Sequence, residues 1–212
     1  MRSLPGLMVL VVVVAASGAG AGDWELVSSG DIVIKARLRP EIPGGREVWA
    51  EGELTASLPH IQAALRDHDN FRHWMPYVKE SRVVSSGEGT RVTYTRLDFP
   101  IISNRDYVLR VVDEQLLAED GTGAFRQRWG PEDEVVGERQ GVVRLHHNQG
   151  SWFFTPAPEG RVHFVYRFIV EPGGSIPGFL AGVGQKDAVL DTVRAVESRA
   201  RKLAADSASA QK

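Results

Sequence analysis

Cysteine is missing altogether from the 212 residues. Its absence removes disulfides, thiolate metal ligands, thiol nucleophiles and a lipidated cysteine anchor from consideration. An excess of charge is missing too: 25 Lys+Arg stand against 27 Asp+Glu, for a net charge of −2. Phosphate-rich partners need a basic face, so nucleic acid is not expected as a partner. There is no internal repeat and no interior low-complexity linker. The sequence carries no G-x-S-x-G, H-E-x-x-H or G-x-x-x-x-G-K-[ST] signature, and no acid–base pair with a readable geometry. No cofactor is implied. What remains is an ordinary globular composition, 42% apolar and 25% charged. The chain is long enough for one domain with a sizeable core and barely long enough for two.

The one long apolar run lies at the start. Arg2 is followed by Leu7–Ala16 and then by Ala19-Gly20-Ala21, a small-x-small cleavage pattern. About ten apolar residues fall short of the roughly 20 that a membrane-spanning helix needs. Residues 1–21 are therefore expected to be a cleaved signal peptide, with an uncleaved anchor as the alternative. The mature protein is expected to be exported, to the periplasm or beyond. Residues 22–203 read as one domain, and 204–212 as a small, polar, frayed tail.

Within the domain, Asp31–Arg39 and Glu47–Leu54 read as strands, and Pro59 opens a helix running toward His68 whose apolar face holds Ile61, Ala64 and Leu65. Pro76 ends that unit. Strands are then expected over Val78–Ser85, Arg91–Phe99, Arg105–Leu117, Ala124–Trp129, Gly141–His147, Ser151–Thr155 and Arg161–Glu171, divided by Gly- and Pro-bearing turns. The last alternates most cleanly, with Val162, Phe164, Tyr166, Phe168 and Val170 on one face. A final helix is expected from Ile176-Pro177, with Val189, Val193, Val196, Ala200 and Leu203 as its apolar stripe. The order implies an α+β fold, a curved antiparallel sheet covered on one face by the last helix. One helix cannot fill such a concavity, so the aromatic inner face lines either a packed core or a cavity.

Four strings stand in order along this framework: Trp74-Met75-Pro76, Arg105-Asp106-Tyr107-Val108, Gly141-Val142-Val143-Arg144, and Glu171-Pro172-Gly173-Gly174-Ser175-Ile176-Pro177-Gly178-Phe179-Leu180. In these strings and their spacing the chain resembles the StAR-related lipid-transfer (START) domain family of the helix-grip superfamily. The resemblance covers roughly residues 24–203. It implies a hydrophobic tunnel for one lipid, closed by the C-terminal helix, with Glu119–Gly123 as a loop bordering the mouth. Some sterol-transfer members carry a second Arg six residues after the Arg-Asp motif, paired with an acid on the preceding strand. Here those positions hold Val111 and, by the same count, Val92, so that ion pair is not expected and a sterol is not carried over.

The resemblance and the alternation together nominate a ligand-binding set: Tyr94, Arg105, Tyr107, Leu109, Phe164, Tyr166, Phe168, Phe179 and Val183. Arg105 is expected near the mouth, where it either meets a ligand oxygen or clamps onto Asp98, Asp106 or a backbone carbonyl. Tyr94, Tyr107 and Tyr166 each join an apolar ring to a polar tip. Trp74 and Trp152 read as scaffold, and Glu132-Asp133-Glu134 as a solvated turn. Asp67, His68, Asp69 and His73 read as surface charges at a helix end, while His146 and His147 point to opposite faces of a strand. The expected function is non-catalytic binding and transport of a lipid or other hydrophobic small molecule, with transient contact at a membrane surface. Two rivals stand beside it. One is a cyclase-, aromatase- or hydrolase-like enzyme using Arg105 with Tyr94 or Tyr107; the other is a structural module whose concavity is filled by its own side chains.

Overall fold

Short alternating segments expose one apolar face each and cannot bury it singly, so they pair laterally and share a cover. The computed structural model describes residues 23–99, 102–171, 173 and 183–210. Its strands are β1 (Glu25–Ser29), β2 (Ile32–Leu38), β3 (Arg46–Leu54), β4 (Val78–Gly87), β5 (Thr90–Leu97), β6 (Arg105–Gln115), β7 (Phe125–Pro131), β8 (Val143–Arg144), β9 (Asn148–Pro156) and β10 (Val162–Val170). They form one 10-stranded sheet in the order β1-β2-β3-β10-β9-β7-β6-β5-β4, with β8 off this path on β6. Neighbours along the path are antiparallel; β8 runs parallel to β6. With helices α1 (Leu58–Arg66) and α2 (Val183–Ala210), this is the helix-grip architecture expected from the sequence.

Register sorts the side chains into two faces. Tyr166 lies opposite Trp152 on one side and Ala50 on the other, and Phe164 opposite Phe154 and Gly52, so these residues share the concave face. The buried stripe of α2, Val189, Val193, Val196 and Ala200, packs there with Ile61 and Leu65 of α1. Glu197 pins α2 to the turn after β3, accepting the Thr55 N–H at 2.8 Å. On the convex face the Glu47 carboxylate, 0% exposed, gathers Arg37, Arg39 and Arg167.

Four segments differ from the sequence reading. β1 has no alternation to read, being a mostly exposed edge strand. Of the strand expected over 141–147, only Val143 and Arg144 enter a ladder, because Arg144 turns down onto Asp106. The helix toward His68 stops at Arg66, and a 3-10 turn takes over from His68 to His73. The expected frayed tail is helical to Ala210: its alanines favour helix, and Ser207 and Ser209 hydrogen-bond back to the carbonyls of Leu203 and Ala205. The expected start of the last helix, 176–182, and the expected signal peptide lie outside the described residues.

Candidate functional site: a chamber under the C-terminal helix

Between the concave face and α2 lies a cavity of about 350 Å³. The described side chains therefore leave open space beneath α2. β6 supplies Arg105, Tyr107, Leu109 and Val111 to its wall, and β10 supplies Tyr166 and Phe168. Ala188, Val189 and Thr192 of α2 form its roof. Five of the nominated residues thus come together here: Arg105, Tyr107, Leu109, Tyr166 and Phe168.

Four do not. Tyr94 pairs across the ladder with Val108, so it points to the convex face, and Thr93 and Thr95 take the inward positions beside Leu109 and Tyr107. On that outer side the Tyr94 hydroxyl donates to Asp106 Oδ2 at 3.1 Å. Burial, followed by the Asp106 charge, pushes its pKa up to about 12. Phe164 is fully buried beside Phe154 and Trp152, at ring separations of 6.5 and 6.3 Å, and belongs to the core next to the cavity. Phe179 lies outside the described residues, as does the side chain of Val183, which begins α2.

The one-residue slip that misplaced Tyr94 also misplaced Val92. Val111 faces Arg91, and Arg91 makes a two-point ion pair with Asp113 at 2.8 and 3.1 Å. A buried acid–base pair therefore does lie on the inner face, with its Arg on β5 one residue before Val92 and its acid on β6 two residues beyond Val111. Burial works against the Asp113 charge, but hydrogen bonds from Arg91 and Gln127 outweigh it and hold the carboxyl below its ordinary range. The Gln127 amide reaches Asp113 at 2.9 Å and lines the cavity.

Arg105, 3% exposed, takes the backbone-carbonyl branch of its two expected roles while also lining the chamber. Nη1 donates to the Ser103 carbonyl and Nη2 to that of Gly173 at 3.3 Å, tying β6 to the segment that follows β10. Asp106 pairs instead with Arg144. The rim is formed by the β5–β6 connection, through Leu97, Phe99 and Ile102, and by Tyr77, which stacks on Phe99 at 5.0 Å. Glu119–Gly123 is not at this rim: a Cβ on Gly121 would lie 3.0 Å from Cγ of Pro59 on α1.

Several wall residues escaped the sequence reading, among them His68, Trp129 and Trp152. His68 is no surface charge: it is 6% exposed, lines the cavity and places Nε2 3.0 Å from Thr95 Oγ1. Burial, then the Arg91 charge, lowers its pKa to about 4, so it is neutral near pH 7. The signal was present, since His68 extends the buried series Ile61, Leu65 at helical spacing. Trp152 is both core and wall, its ring stacked on Tyr166 at 3.7 Å. Trp129 joins the same wall 6.0 Å from Tyr166. Gly150 makes room for it: a Cβ there would sit 2.4 Å from the Arg167 carbonyl and 2.5 Å from Cζ2 of Trp129. Among the described residues no group of three His, Asp or Glu could hold a metal ion.

A sheet curled over a chamber, with a long helix as its cover, defines a helix-grip protein. The family described as polyketide cyclase / dehydrase and lipid transport matches residues 54–197, and the chain belongs to it, as a START-type member. A human phosphatidylcholine transfer protein is 30% identical over 174 residues, 81% of this chain and 80% of its own length. An uncharacterised protein of Pseudomonas aeruginosa is 29% identical over 207 residues, 95% of this chain and 100% of its own. The crystal structure of a StAR-related lipid transfer protein from Xanthomonas axonopodis superposes with a TM-score of 0.71 at 30% identity, covering 84% of this chain and 98% of that one.

Proposed function

We propose that this protein binds and carries a lipid or other hydrophobic molecule in the chamber beneath α2, without chemistry, as an exported protein. The observation that carries the reading is the wall itself: Trp152, Tyr166, Phe168, Leu109 and Val111 turn apolar surface into an enclosed space of about 350 Å³. Shielding ~400 Å² of ligand surface contributes about 10 kcal/mol gross at roughly 25 cal/mol per Å². Ordering the ligand and moving the cover offset much of that. The lipid-transfer relatives support the same class of cargo, and the Leu7–Ala16 run with Ala19-Gly20-Ala21 supports export. Brief contact with a membrane surface would load the chamber through the Tyr77–Phe99 rim. Native mass spectrometry of protein purified from an export-competent host tests this. A co-purified hydrophobic molecule is expected. Protein that arrives empty, and gains no melting temperature from any of a panel of lipids, refutes it.

A second reading, an enzyme of the cyclase type, is favoured by one observation: Tyr107 and His68 bring polar groups to the chamber. It predicts that Tyr107→Phe abolishes turnover of a substrate while leaving its binding intact.

A further inference from the structure

Resting on the binding reading above, we infer that the chamber selects an uncharged amphiphile with one apolar chain or ring system, and holds a single hydroxyl or carbonyl oxygen of it at the Tyr166 hydroxyl. The starting point is an imbalance in hydrogen bonding at mid-wall. Tyr107 stands opposite Thr95 across the β5–β6 ladder, and Thr95 Oγ1 lies 3.0 Å from His68 Nε2. The Gln127 amide is committed to Asp113. Tyr166, whose ring is fixed between Trp152 at 3.7 Å and Phe168 at 4.8 Å, makes no hydrogen bond among the described residues. It faces the cavity. A phenol facing the chamber has one hydrogen bond to donate, and an oxygen on the ligand can accept it.

Charge and size narrow the class further. The middle of the wall carries no formal charge near pH 7, because burial holds His68 neutral and Tyr107 protonated. Behind Gln127, Asp113 is shared by Arg91 and by Arg66, whose side chain is 46% exposed to solvent. Arg105 is at the other end of the β6 wall, with the Ser103 and Gly173 carbonyls on its guanidinium. A carboxylate or phosphate brought to Tyr166 would lose its water and meet no counter-charge. A hydroxyl or carbonyl loses one or two hydrogen bonds and regains one. The volume of about 350 Å³ is at the low end of the roughly 300–1,000 Å³ typical of small-molecule sites. It suits one chain or one fused ring system better than the two chains of a phospholipid.

Lipid-stripped full-length protein is titrated calorimetrically with 1-dodecanol, 1-chlorododecane and dodecanoate at pH 8, and separately with phosphatidylcholine vesicles. Dodecanol is expected to bind about five- to tenfold more tightly than either single-chain control, the range of one net hydrogen bond. Tyr166→Phe removes only the hydroxyl and should erase that preference. Tyr94→Phe, on the convex face, should keep it. Equal binding of dodecanol and chlorododecane, or tighter binding of dodecanoate or phosphatidylcholine, overturns the inference while the carrier reading stands. A preference that survives in Tyr166→Phe also overturns it. No binding of any probe overturns the carrier reading and this inference with it.

Discussion

Replacing Arg144 by methionine should destabilise the protein by about 3–5 kcal/mol, the cost of leaving one member of a buried ion pair without its partner. The structure places this pair at the severe end. The side chains of Arg144 and Asp106 are 2% and 1% exposed, and they meet through Nε–Oδ1 at 2.8 Å and Nη2–Oδ2 at 3.3 Å. Arg144 Nη1 adds a bond to the Val136 carbonyl at 3.0 Å, holding the segment after β7 over Val92 and Val108. After the substitution Asp106 keeps the Tyr94 hydroxyl, at 3.1 Å, which offsets only part of the loss. Urea denaturation followed by circular dichroism reads the effect. With a slope of about 2 kcal/mol per molar, the midpoint should fall by roughly 1.5–2.5 M. The double variant Asp106→Asn/Arg144→Met removes the stranded charge and should recover at least half of that. A single variant that shifts the midpoint by less than about 0.5 M, or a double variant no better than the single, would refute the assignment of this pair as a buried clamp.

Three further outcomes follow from the same coordinates. Gly150→Ala should cost about 1–3 kcal/mol, seen as a lower melting temperature, because its Cβ would meet the Arg167 carbonyl and the Trp129 ring. Stability should fall on acidification from about pH 6.5 toward pH 5, before the carboxylates titrate. His68 has a folded pKa lowered from 6.5 to about 4, so in this window the unfolded chain binds the proton and the native state does not. The full linkage to pH 4 is worth about 3 kcal/mol at 1.36 kcal/mol per pH unit, and His68→Gln should flatten that slope in pH-dependent denaturation. Arg105→Met should speed ligand exchange in a stopped-flow displacement assay, since it cuts the bond from β6 to the Gly173 carbonyl in the segment that follows β10.

What the sequence made legible was local. The alternation of Val162 to Val170 and the spacing of Val189, Val193, Val196 and Ala200 depend only on the geometry of a strand and a helix, and both appear as read. Tyr107, Leu109, Tyr166 and Phe168 followed from that alternation. Pairing between strands is not local. Tyr94 and Val92 were counted onto the wall through the β5–β6 connection, whose length does not reveal register, and one residue of error carried both to the opposite face. The buried Arg91–Asp113 pair was lost by the same count. His68 failed for another reason. A titratable residue at a helix end reads as solvated, and only the placement of β5 against the 3-10 turn encloses it. Trp152 was assigned to scaffold because core and wall look alike along a strand that borders both.

β6 shows why register decides function here. Along it Arg105, Tyr107, Leu109 and Val111 face the chamber, while Asp106 and Val108 face the convex side. A slip of one residue would send Asp106 into an apolar cavity and turn the Tyr107 ring out toward the position Arg144 occupies. Each move is penalised, the first by desolvating a carboxylate with no counter-charge. Arg144 and the Tyr94 hydroxyl therefore act on the chamber wall without touching it: by holding Asp106 on the outer face at two points, they favour the observed pairing of β5 with β6. The chamber wall is set from behind, by ionic contacts on the opposite face of the sheet.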